Sequence, residues 1–127
     1  MTSDGSAIVR LRRALANERC SAAQIRALVA ELPRAPALED ALAILLALLD
    51  REPDTFSRAA ARWGSRLVLE RKLTLADAQL ALAALEVLPS PGARAGAEAL
   101  IELSARYGLR RVDDLLTGWM RQRGLLD

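Results

Sequence analysis

The sequence predicts an all-α protein: a compact bundle of about six to seven short helices in a single domain over residues 1–127, with residues 1–5 flexible. Three observations carry this. No segment alternates apolar and polar residues with period two over a useful length, whereas apolar residues recur at helical spacing in every segment. Proline, glycine and capping residues punctuate the chain at short intervals. Finally, aromatics make up only 3% of a chain that is 52% hydrophobic, so the core must be built from Leu, Ile, Val and Ala. A chain of 127 residues is long enough to bury such a core by itself, hiding roughly two thirds of the surface exposed when unfolded.

The first helix is expected from about Ser6 to Asn17, with Ile8, Leu11 and Leu15 on one face. Ser21 opens the second, because Ser21 and Gln24 have capping-box spacing and can satisfy free amides of the first turn. Pro33 and Pro36 break the chain, and a third helix follows over Ala37–Leu49. Pro53 and Asp54 start a fourth, which carries the stripe Phe56, Ala60, Trp63 and Leu67; Gly64 beside Trp63 lets a neighbour approach. Thr74 with Asp77 starts the fifth, Leu75–Leu88. Ser90–Gly92 is a turn, and the sixth helix runs to Tyr107, where Gly108 stops it. The seventh covers Arg110 to about Arg123, with Asp113 and Asp114 suited to the dipole of its first turn and Trp119 on its apolar side.

Helices three and five, containing ALAILLALL and ALAALEVL, are apolar nearly all round, which predicts a central position for both. They match at an offset of 37 residues, pairing Leu38 with Leu75, Asp40 with Asp77 and Leu45 with Leu82. That period resembles a HEAT or armadillo helix-pair repeat and implies, as the alternative architecture, a short solenoid.

Composition excludes much chemistry. There is no histidine, so imidazole-based triads and Cys/His zinc sites are ruled out. Cys20, the one cysteine, has no base in view and reads as a small apolar residue. The pairs Glu39–Asp40 and Asp113–Asp114 point apart on a helix and are accounted for by the dipole. Gly92–Gly96 (GARAG) lacks the lysine of a phosphate loop. We therefore expect no enzyme activity and no catalytic, cofactor or metal site. The longest apolar run, Ala41–Leu49, is too short to span a bilayer, and an acidic residue stands where a signal peptide needs a basic one. The expectation is a soluble, cytoplasmic protein with no membrane partner.

Charge leaves one candidate surface. The formal charge is +2, and nearly all the cations are arginine. Arg58, Arg62 and Arg66 recur every four residues and form a ridge beside the stripe of helix four, where Asp54 and Glu70 could pair with the outer two. A secondary basic group comprises Arg106, Arg110, Arg111, Arg121 and Arg123, and Leu11–Arg13 adds a third. No aromatic interleaving or base-reading helix accompanies them. In helix number and composition alone the chain resembles small helical adaptor domains. The expected function is a non-catalytic protein–protein interaction module, an adaptor or a small subunit of a larger assembly. Alternatives are a nucleic-acid-associated subunit contacting phosphates through arginines and a homo-oligomeric assembly protein.

Overall fold

The computed structural model describes residues 3–126, with side chains from Ser6 onward; the expectation of a flexible segment over residues 1–5 falls in part on residues 1 and 2, outside the described residues, while 3–5 are helical. Seven α-helices and one 3₁₀ turn run through the described residues, with no strand among them: α1 Ser3–Ala16, α2 Ala22–Ala30, α3 Leu38–Arg51, the 3₁₀ turn Pro53–Thr55, α4 Phe56–Arg71, α5 Leu75–Glu86, α6 Ala93–Arg106 and α7 Val112–Gln122. The all-α expectation holds, and most helix ends fall within two or three residues of those expected.

Local chemistry sets several of these ends. Gln24 donates its amide N–H to the Ser21 hydroxyl at 3.1 Å, and Ser21 donates its own to the Gln24 side chain at 2.8 Å, closing the capping box of α2. Thr74 accepts from the Asp77 amide at 3.1 Å to start α5. Pro53 does not open α4 directly; it opens the 3₁₀ turn, and α4 follows from Phe56. Helix α6 ends before Gly108, whose φ of 76° suits a residue without a side chain.

Each helix packs on the next, from α1 on α2 through α6 on α7. Two further contacts then fold the series on itself: α7 returns to α3, and α1 also touches α3. An open solenoid would keep α3 and α7 apart, so the architecture is the bundle and not the repeat. The matched leucines confirm this: Leu38 is 3% exposed while Leu75, its counterpart, is 76% exposed.

Helix α3 is central, as expected, burying Leu38, Leu42, Leu45, Leu46 and Leu49 between its neighbours. The expectation for α5 needs correction. It touches only α4 and α6, and it buries Ala81, Ala84 and Leu85 while leaving Leu75, Leu80 and Leu82 exposed. The reason is steric. Toward α6 its inner face is alanine and meets Gly96 closely, while toward α4 Leu85 and the edge of Leu82 fill the space beside Gly64, so two neighbours use up the inner face and leave Leu75 and Leu80 uncovered. A Cβ on Gly64 of α4 would lie 2.8 Å from Leu82, and one on Gly96 of α6 would lie 2.6 Å from the Ala84 carbonyl oxygen.

The main core joins α3 to α7 and includes Trp63, Leu67, Leu88, Leu100, Leu103, Leu116 and Trp119. A smaller second cluster, Leu11, Ile25 and Ala47, attaches the α1–α2 hairpin to one side of α3.

Candidate functional site

Helix α4 buries Phe56, Ala60, Trp63, Gly64 and Leu67, which turns the arginine ridge outward. Arg66 is half-buried and donates through Nε to Glu70 at 2.6 Å, the expected pairing four residues on. Arg58 and Arg62 are exposed and make no ion pair among the described residues. Asp54 does not serve Arg58. It belongs to the 3₁₀ turn, where the side-by-side placement of residues four apart in an α-helix is lost. Leu69, seven residues beyond Arg62 and so close to the same angle of the helix, is 78% exposed. The outer strip of α4 therefore carries two uncompensated guanidiniums and a bare leucine.

The secondary basic group is divided by the fold. Arg106 reaches Asp77 at 3.1 Å, and the Tyr107 hydroxyl also donates to that carboxylate. The Tyr107 hydrogen bond, helped by the Arg106 charge against a smaller effect of burial, holds the Asp77 carboxyl below its ordinary range. Arg111 lies 3.3 Å from Asp40. Arg123 donates to Asp50 at 3.0 Å, and its guanidinium stacks 4.6 Å above the Trp119 ring. Arg110 and Arg121 are exposed without an ion pair among the described residues. Three of these five arginines thus cross to acids on other helices, and Arg106 sits with α5 whereas Arg111 and Arg123 face α3.

Those last two line a cleft of about 660 Å³ between α1, α3 and α7. Asp40, an ordinary first-turn acid by its sequence position, is among the residues that line it. Asp40 is 7% exposed and accepts a two-pronged fork from Arg12, through Nε and Nη2 at 3.1 Å each, in addition to Arg111. Burial pushes its carboxyl up, and the Arg12 fork with the charges of Arg111 and Arg12 outweighs that, holding it below the usual carboxylate range. Arg51, at the same cleft, donates to three backbone carbonyls: Asn17 at 2.9 Å, Ala47 at 3.0 Å and Cys20. The cleft has the volume of a ligand site, yet each of its four arginines is already committed to an acceptor of the fold. What the arrangement does is hold α1, the α1–α2 connection and α7 against α3.

Among the described residues no group of three or more His, Cys, Asp and Glu side chains could hold a metal ion, and no helix is long and apolar enough to cross a membrane. No family model matches the chain, and neither a curated protein nor a solved structure matches it.

Proposed function

We propose that this chain is a non-catalytic helical interaction module, an adaptor or a small subunit of a larger assembly, whose partner is a protein presenting carboxylates to the outer strip of α4. The observation that carries this is the contrast within the arginines. Arg66, Arg106, Arg111 and Arg123 are paired inside the fold, while Arg58 and Arg62 stand without an ion pair among the described residues on the strip of α4 that also carries Leu69. Arginine offers a planar fork of donors suited to carboxylates, and an exposed leucine beside it suits a protein surface better than a phosphate backbone. Nucleic-acid binding grows with the number of phosphates neutralised, and pairing within the fold engages Arg66, Arg106, Arg111 and Arg123 of the basic groups that would serve. The cytoplasm is the setting that goes with this reading, given a single cysteine.

The test is capture from native lysate by wild type, Arg62→Gln and Arg62→Glu, with and without nuclease. Capture that survives nuclease and weakens for Arg62→Glu, with the deficit shrinking at high salt, is the expected result. Capture abolished by nuclease would favour the phosphate-binding alternative. Full capture by both variants would reduce the ridge to a solvated face.

A further inference from the structure

The outer side of α5 meets no other helix at Leu75, and Leu82 stands on the same side at the edge of the α4–α5 contact, its side chain 2.8 Å from where a Cβ on Gly64 would lie. Leu75 and Leu82 are 76% and 45% exposed; being seven residues apart, they lie within about 20° of one another around the helix. Next to Leu82 this face opens into a groove of about 260 Å³ between α4 and α5, walled by Ala61, Leu82 and Leu85 and bounded at one end by Pro53, Glu86 and Pro89. Exposed leucines that share one face beside an apolar groove, with polar residues at both ends, offer apolar surface for a partner to cover.

Charge changes sign along the row. Where α5 begins stands Lys72, exposed and without an ion pair among the described residues. Where α5 finishes stands Glu86, likewise exposed and unpaired, with Asp54 beside the Pro53 end of the groove in the same condition. The surface is therefore positive at one end, carries Leu75 and Leu82 with the exposed Gln79 between them in the middle, and is negative at the other. An acidic helix laid along it would meet Glu86 and Asp54 at its far end, and an anionic membrane would do the same. A surface of this polarity is complementary to itself after a half-turn, because antiparallel pairing brings each end against its opposite.

We propose that two copies of this chain associate through α5, antiparallel about a twofold axis that passes near Gln79, with Leu75 and Leu82 of both copies forming apolar contacts on either side of the axis and Lys72 of each copy meeting Glu86 of the other at both ends. The contact is independent of the partner assigned to Arg58 and Arg62. Arg62 lies about 160° around α4 from Gly64, which faces α5, so the arginine strip stays outside the paired surface.

The experiment is sedimentation or light scattering of the full chain across the micromolar range, with a thermal melt of each variant to establish that it is folded. Wild type should show a concentration-dependent monomer–dimer equilibrium. Leu75→Glu, at a site outside the core, should raise the dimer dissociation constant roughly tenfold or more. Lys72→Glu and Glu86→Lys should each weaken the dimer several-fold, and the two changes together should restore it to within about twofold of wild type, since only paired charges couple in this way. A wild type that stays monomeric overturns the proposal and leaves the face to a different protein. A dimer indifferent to Leu75→Glu overturns the assigned surface, and a double swap without rescue overturns the antiparallel arrangement.

Discussion

Trp63 of α4 donates its indole N–H to the backbone carbonyl of Leu38, the first residue of α3, at 2.9 Å within the buried interface of the two helices. The ring is 4% exposed, so it combines packing with the one polar contact that a buried indole requires. Trp63→Ala should cost about 3–5 kcal/mol in chemical denaturation, a large share of the stability of an ordinary domain. Trp63→Phe keeps most of the packing and loses the hydrogen bond, for about 1–2 kcal/mol. Equal losses in the two variants would show that the ring's volume contributes nothing at this interface.

Asp40 makes stability depend on acid in a definite direction. Its folded pKa lies below the unfolded one, so its contribution is fully present above the unfolded value of about 3.9 and disappears as the pH falls through the folded value. Asp40→Asn should cost about 1–3 kcal/mol near neutrality, since it leaves Arg12 and Arg111 facing each other across a neutral amide. Urea titrations at a series of pH values should show the gap between wild type and Asp40→Asn narrowing below about pH 4. A gap independent of pH would mean that the carboxylate's charge is immaterial there.

Two glycines should respond to alanine with opposite signs. At Gly96 the new methyl would stand 2.6 Å from both the Ala84 carbonyl oxygen and Val87 Cγ2. Helices α5 and α6 would have to separate, at a cost of about 1–3 kcal/mol. At Gly118, inside α7, a methyl meets nothing within 4 Å, so Gly118→Ala should stabilise by roughly 0.5–1 kcal/mol through helix propensity. Thermal melts of the two variants suffice to check the contrast.

Arg51 should control the α1–α2 hairpin without touching the rest of the bundle. Its three carbonyl acceptors at Asn17, Cys20 and Ala47 join the α1–α2 connection to the last turns of α3. The hairpin's own cluster is small. With Arg51→Ala, amide hydrogen exchange should accelerate through α1 and α2 while the amides of α4 to α6 keep their protection. Uniform acceleration across the chain would show that the hairpin and the main core open as one unit.

The parts of this molecule that depend on near neighbours in sequence were readable in advance. The Ser21–Gln24 capping box, the Thr74 cap, the stripe around Trp63 and the Arg66–Glu70 pair all join residues within one or two turns. Partners remote in sequence were not. Asp40 is clamped by residues 28 and 71 positions away, and no local pattern distinguishes it from an ordinary first-turn acid. The position of α5 differs from the expectation for another reason: an all-round apolar helix suggests full burial, but α5 has only two neighbours, with Ala84 close against Gly96 on one side and Leu85 and the edge of Leu82 beside Gly64 on the other, so Leu75 and Leu80 have nothing to cover them. In the arginine groups, spacing identified the ridge, yet which guanidiniums find an acid depended on how the seven helices were brought together.

The return of α7 to α3 carries a consequence for synthesis. Helices α4, α5 and α6 each acquire a neighbour from the residues made just before or after them. On α3, the strip that includes Ala43 and Leu46 borders the same cleft as Leu115 and Trp119 of α7, residues made about seventy positions later. At ordinary translation speeds that delay is on the order of ten seconds. Throughout it, a leucine-bearing strip that the finished protein conceals is open on the nascent chain, so a holdase chaperone would find its foothold at α3, before α7 has left the ribosome.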